Sequence, residues 1–259
     1  MYQYLHLRIV IMLLAMVSAV LGSFSFVPTA EASANRYQVV PGVLELDNNV
    51  KTGAITIRNE GQERGLLSIF PTEWTLDEHG KDSYRDTEDL VVYPKLLILQ
   101  QGEQRTIRVG YKGAALIRER SFRLLIAERS EATNQDSSGK ADDLKEQAFI
   151  FVKPDVRTSE GSVERIDLTG RELSAVIRNK GGVHLIVLSV GIHGLAANGQ
   201  ELFKKELAGS YVLSGASRTF STEVPFPLCR KLAHLEVEVS TSSGALKGKL
   251  DINQDMCGP

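Results

Sequence analysis

Gln-Ala-Phe-Ile-Phe-Val-Lys-Pro, running from Gln147 to Pro154, decides how this chain is read. Five consecutive apolar residues, Ala148 to Val152, predict a strand buried on at least one face. Pro154 ends it, because proline cannot donate to a ladder. A polar run, Ser130 to Glu146, precedes the stretch, and a second series of strand-like segments follows it. The strand therefore closes a first domain, comes after a long exposed loop and leads into a second domain.

Upstream of it the mature chain reads as short strands broken by turn residues. Val39 to Leu46, Ala54 to Asn59, Gly65 to Trp74, Leu90 to Leu99, Thr106 to Tyr111 and Ser121 to Ala127 are predicted, with a polar loop from Asp77 to Asp89. Pro94 makes part of Leu90 to Leu99 an edge or a strand switch. With the Gln147–Pro154 strand these make seven, and seven strands at this spacing predict a β-sandwich. Downstream, Val163 to Leu168, Leu173 to Asn179, Val183 to Ile192, Gln200 to Lys204, Arg218 to Val224, Leu235 to Ser240 and Lys247 to Ile252 repeat the style. Ile57-Arg-Asn-Glu-Gly61 is echoed by Ile177-Arg-Asn-Lys-Gly181, and the Leu99–Thr106 segment by Leu213–Thr219. Two echoes in one order favour two related sandwiches over one large sheet.

Arg8, the apolar run Ile9 to Leu21 and the small residues around Ala30–Ala34 follow the order of a secretory signal peptide, the alternative being an uncleaved membrane anchor, against which Ser18, Gly22, Ser23 and Ser25 dilute the apolar stretch. The expected organisation is residues 1–32 as signal, 35–154 as the first sandwich and 155–259 as the second, with no membrane insertion after cleavage. Cys229 and Cys257 are the two cysteines, and in an oxidising compartment they are expected to form a disulfide, the alternative being two buried free thiols. A formal net charge of −2 supplies no global field for nucleic acid or an anionic membrane. Glycine-rich phosphate cradles, nucleophile elbows and zinc-helix motifs are absent from the sequence, so it offers no catalytic constellation. His184 and His193 fall nine residues apart on or beside one predicted strand, too far along it to share a metal. The reading at this stage is no enzyme, no cofactor and no metal.

Tyr93-Pro-Lys-Leu-Leu-Ile-Leu-Gln-Gln-Gly-Glu-Gln-Arg-Thr-Ile-Arg-Val109, followed by Glu119-Arg-Ser-Phe-Arg-Leu-Leu-Ile-Ala-Glu128, resembles the PapD-like periplasmic pilus-assembly chaperones. Asn59-Glu-Gly61, Trp74 and Phe149-Ile-Phe-Val-Lys-Pro154 add to the likeness. The resemblance implies two immunoglobulin-like β-sandwiches joined at an angle, a periplasmic location, and partners that are pilus or fimbrial subunits and an outer-membrane usher. It also implies a mechanism: the last strand of the first domain completes a subunit that lacks one, by strand addition. A periplasmic structural or adhesive binding protein on the same scaffold, donating no strand, is the alternative.

The chain departs from the family's pattern at its binding residues. The family holds the subunit's C-terminal carboxylate with an arginine and a lysine, and the matching positions are near Val43 and at Phe149, neither basic. Arg36 and Lys145 are the candidate carboxylate anchors from shifted positions, or else solvated strand-end charges. Three alternating apolar donor residues are usual, and Lys140, Asp142 and Leu144 stand in their place. Two such losses remove roughly 3–6 kcal/mol of apolar burial. A shifted donor strand would use Leu144, Ala148 and Ile150, with Phe149 among them. The other reading is that these residues fill the first domain's own core. The resemblance further implies an interdomain charge trio, matched by Glu119, Lys153 and Asp255.

Overall fold

The computed structural model describes residues 36–129 and 144–258. The expected signal peptide, most of the polar loop, Lys140 and Asp142 lie outside the described residues. Nearly everything described is strand, arranged as two sandwiches, each with its own apolar core. This is the all-β, two-sandwich class expected from the sequence.

In the first sandwich, β1 (Tyr37–Val40), β3 (Thr52–Asn59), β8 (Gln104–Tyr111) and β6 (Leu90–Tyr93) form a sheet in the order β1-β3-β8-β6. The facing sheet runs β2 (Val43–Asp47), β10 (Leu144–Lys153), β9 (Arg120–Glu128), β4 (Gly65–Leu76) and β5 (Asp82–Asp86), with β7 (Leu96–Leu99) also on β4. The single first strand expected from Val39 to Leu46 is instead two strands in different sheets, divided at Pro41-Gly42. Proline breaks a ladder by lacking an N–H, so the chain changes partners there. Pro94 does the same between β6 and β7, as expected. The polar segment read as a loop from Asp77 to Asp89 contains β5, an edge strand with no apolar alternation to reveal it. It exists because it pairs back on β4, from Thr72 opposite Asp86 to Leu76 opposite Asp82.

Strand periodicity explains the core. Along β10, Ala148, Ile150 and Val152 have no exposure and meet Phe122, Leu124 and Ile126 of β9 in one cluster with Ile55, Ile57, Ile107 and Val109. Residues of the other parity on β10, Phe149 and Phe151, leave that core and pack with Trp74 and with Leu213 and Tyr211 of the second sandwich. The run of apolar residues thus serves two cores at once, which is why it does not alternate.

The second sandwich pairs a three-stranded sheet, β11 (Gly161–Thr169), β12 (Glu172–Asn179) and β16 (Ser217–Glu223), with a second sheet. That sheet runs β14 (Glu201–Ala208), β13 (Leu185–Leu195), β17 (His234–Thr241) and β18 (Gly244–Asp251), and β15 (Tyr211–Val212) also pairs β13. The short helix α1 (Phe226–Cys229) and a 3₁₀ turn (Gln254–Cys257) are joined by the Cys229–Cys257 disulfide, both cysteines lying in the second core.

The internal echo has a physical basis. Asn59 and Asn179 are both wholly buried. The Asn59 amide donates to the carbonyls of Glu63 and Leu99 and accepts from Gly61 N–H. The Asn179 amide donates to the carbonyls of Val183 and Val212 and accepts from Gly181 N–H. Each asparagine ties the end of its strand, β3 or β12, to the turn after it and to a strand across the sandwich. Gly102 and Gly215, the other echoed positions, both have positive φ, near 70°, where a side chain would be strained.

Candidate functional site

The site lies where β10 runs from an open edge to the boundary between the sandwiches. On one side β10 pairs antiparallel with β9 from Leu144 opposite Ala127 to Val152 opposite Arg120, with a bulge between Leu144 and Glu146. On its other side β2 pairs with it in parallel, but only from Phe149 opposite Val43 to Lys153 opposite Asp47. Among the described residues, no strand pairs with Leu144–Ala148 on that side. An edge with unpaired N–H and C=O groups is a template for a strand from another chain.

The side chains along this edge are not those of a simple apolar donor. Leu144 is exposed at 39 %, so it is free to contact a partner. Ala148 and Ile150 are at 0 % and belong to the first core. This corrects the expected shifted donor: a side chain locked among Phe122, Leu124 and Ile126 cannot also fill a partner's groove. Glu146 has the same parity as Ala148, and its Oε1 is buried without a hydrogen-bond partner. Burial pushes its carboxyl up from the ordinary range.

The positions expected to carry basic anchors are brought together, since Val43 and Phe149 are register partners. Aromatic rings collect there instead of ammonium groups. Phe149 stands 5.5 Å from Trp74 and 5.3 Å from Tyr211, and Tyr211 lies 5.4 Å from Phe151. Arg123, opposite Phe149 on β9, places its guanidinium 4.2 Å from the Trp74 ring centre, 4.9 Å from Tyr84 and 5.0 Å from Phe149. Such stacking retains a cation on an aromatic floor. Its Nη1 donates to Gln147 Oε1 (2.9 Å) and its Nη2 to Asp82 Oδ2 (3.2 Å).

Arg36 does not reach this place. It pairs with Glu128 at 2.7 Å and donates to the carbonyls of Glu63 and Arg64. Its charge is engaged beyond the opposite end of β9. Lys145 is exposed in the β10 bulge. Neither is assembled with the Val43–Phe149 pair.

The expected trio is also not assembled. Glu119 is buried and accepts from His184 N–H (3.1 Å) and from the His184 ring Nδ1, which lies 2.9 Å from both carboxylate oxygens. The imidazole stacks on Phe151 at 3.9 Å. Lys153 pairs within its own sandwich with Glu45. Asp255 is exposed in the terminal 3₁₀ turn and joins neither pair. A lysine on β10 has its nearest carboxylate on the adjoining parallel strand, so it has no need to cross between sandwiches. The Glu119–His184 contact was hidden in the sequence, because the two residues are 65 positions apart.

A second polar connection was missed as well. Asp82 of β5 accepts from Trp74 Nε1 (2.9 Å) and pairs with Arg218 of β16, in the other sandwich, and with Arg123. Burial works against ionisation of Asp82. The Arg218 and Trp74 hydrogen bonds, with the charges of Arg218 and Arg123, outweigh it and hold the carboxyl below the ordinary aspartate range. Burial also pushes the Tyr84 hydroxyl up to about 12. Trp74 was visible in the sequence, but no spacing signal links Asp82 to Arg218. Among the described residues, no group of histidine, cysteine and carboxylate side chains is placed to hold a metal.

Two sandwiches sharing an aromatic boundary, with a half-covered last strand in the first, define a two-domain immunoglobulin-like fold. Residues 38–156 match the pili and flagellar-assembly chaperone family, PapD N-terminal domain. The match spans the first sandwich, just under half of the chain, and that sandwich is PapD-like. Among solved structures the chain is similar to a complex of CsuC with the tip adhesion subunit CsuE, from archaic chaperone-usher Csu pili of Acinetobacter baumannii. The identity is 14%, with 83% of this chain and 97% of that chain covered and a TM-score of 0.55. The YadV chaperone is similar at 13% identity, with 84% and 100% covered and a TM-score of 0.54. These likenesses establish the fold. No curated protein matches the chain. Among the described residues, no helix is long and apolar enough to cross a membrane.

Proposed function

We propose that this protein is a periplasmic chaperone for pilus or fimbrial subunits, binding a strand-deficient subunit along the open half of β10 for delivery to an outer-membrane usher. The observation that carries the reading is the edge itself: β2 stops covering β10 at Phe149, and among the described residues no strand takes up the β2 side of Leu144–Ala148 on this PapD-like sandwich. Main-chain hydrogen bonds supply the affinity in such a mode, and side chains set the specificity. Leu144 supplies an apolar contact here, while Ala148 and Ile150 support the strand from within. The aromatic floor with Arg123 and Phe149 stands where basic anchors are expected, so the partner's end meets rings and a guanidinium. The role is noncatalytic, with no cofactor.

The test is periplasmic co-expression with candidate strand-deficient subunits and copurification, using wild type and Leu144→Asp. Leu144 lies outside the buried core, so the variant is expected to fold and to capture less subunit. Failure of wild type to retain any strand-deficient subunit would favour the non-donating binding protein instead. Equal retention by both would remove Leu144 from the contact.

A further inference from the structure

On one side of the boundary between the sandwiches a hairpin of the first reaches across to the second. The turn between β4 and β5, residues 77–81, belongs to the first sandwich but lies on β16 of the second. Thr219 Oγ1 donates to the His79 carbonyl at 3.3 Å. Gly80, at φ 74°, approaches so closely that an added Cβ would stand 2.9 Å from the Arg218 Cα, the Ser217 carbonyl and the Thr219 nitrogen. Just beyond the turn, Asp82 reaches Arg218, whose Nε donates to the Tyr211 carbonyl at 2.7 Å. Asp82 also holds the Trp74 indole N–H and pairs with Arg123, so one carboxylate connects both sandwiches to the aromatic floor.

The turn holds its own shape: Asp77 accepts from the N–H groups of His79 and Lys81, and Gly80 N–H donates to the Asp77 carbonyl. Its attachment to β16 contains no main-chain ladder. Charge pairing and one hydroxyl hold it, and such contacts can open without unravelling either sheet.

We propose that the β4–β5 hairpin is a releasable clasp, keyed by Asp82, that holds the sandwiches together over the aromatic floor in the free protein and opens to extend the docking surface beyond Ala148. When closed, it keeps Trp74 at 1 % exposure beneath Tyr211 and Leu213. When open, it uncovers Trp74, Phe149 and Tyr211 next to the end of the unpaired edge. The extension of the docking surface rests on the proposed chaperone reading, whereas opening is a property of the free chain.

Trp74 is the sole tryptophan and therefore reports the clasp directly. The experiment measures its emission maximum, acrylamide quenching and bis-ANS binding in the free protein, for wild type, Asp82→Asn, Gly80→Val and Asp82→Glu. Loss of the charged hydrogen bonds of Asp82 is expected to raise the open population about tenfold. That is read as a red shift, stronger quenching and added bis-ANS fluorescence, with far-ultraviolet dichroism retained. Gly80→Val is expected to do the same, both by the clash of its side chain with β16 and by the strain of a branched residue at positive φ, and Asp82→Glu to restore much of the closed signal. Quenching unchanged in both folded opened variants overturns the clasp, as does a change that matches global unfolding in a denaturant titration. Copurification with a strand-deficient subunit that wild type already binds then tests the surface. Greater retention by Asp82→Asn supports the extension, and reduced or equal retention overturns it. Absence of any wild-type complex would fail the chaperone reading while leaving the fluorescence result to stand for the clasp.

Discussion

Substituting Gln147 by proline separates the open side of β10 from its paired side. Phe149 N–H donates to the Gly42 carbonyl at 2.9 Å, so the main-chain groups of Phe149 face the β2 side. Strand alternation puts the Gln147 N–H and C=O on that same side, where no strand among the described residues pairs, and those of Ala148 toward β9. Gln147→Pro therefore removes a donor from the open edge and no bond from the β9 ladder. Within the free protein it loses the 2.9 Å hydrogen bond from Arg123 to the Gln147 side chain. A partner carbonyl left without that donor costs about 1–3 kcal/mol, or roughly 5- to 150-fold in Kd. Ala148→Pro is the contrast, since it removes a ladder bond at a fully buried position and is expected to lower Tm. Calorimetric titration with a captured subunit gives Kd, and thermal melts give stability. A folded Gln147→Pro variant that binds as wild type does would refute strand addition at this edge. A melt lowered as far as that of Ala148→Pro would refute the assignment of the edge itself.

Three further expectations concern stability. Asn59→Ala and Asn179→Ala each strand buried carbonyls and are expected to cost about 1–3 kcal/mol, measured by denaturant titration; a cost near zero at both would mean the paired turns are not what holds the strand ends. Reducing the Cys229–Cys257 bridge, which spans 28 residues, should release about 3.5 kcal/mol in the chain-entropy model, seen as a lower Tm and a 2 Da mass gain. Because the folded pKa of Asp82 is depressed, its contribution is present above the unfolded value of about 3.9 and is lost as pH falls through the folded value. Trp74 emission should therefore shift red at acid pH in wild type, with little further change in Asp82→Asn. Identical acid profiles for the two proteins would remove Asp82 from the clasp.

Much of the fold could be read from local pattern. Alternating apolar residues such as Ile55 and Ile57, or Ile107 and Val109, announce strands because one face of each is buried. Proline marked the strand switch at Pro94 for a local reason, the missing N–H. β5 escaped notice because Asp-Ser-Tyr-Arg-Asp has no apolar face, and its only reason to be a strand is the ladder with β4. The division at Pro41 was missed for a similar reason, since choosing between two sheets is settled by partners distant in sequence.

The binding residues divide along the same line. From the sequence alone came two sandwiches, β10 as the last strand of the first, the absence of basic residues at the Val43 and Phe149 positions, and a family likeness. All of these depend on residue identity and near-neighbour periodicity. Only the tertiary structure decided that Ala148 and Ile150 belong to the core, that Arg36 is engaged by Glu128, and that Glu119 meets His184 while Lys153 meets Glu45. It alone joined Asp82 to Arg218 across 136 residues. A charge selects its partner by distance in space and by what else is buried around it, and neither quantity is written in the order of the residues.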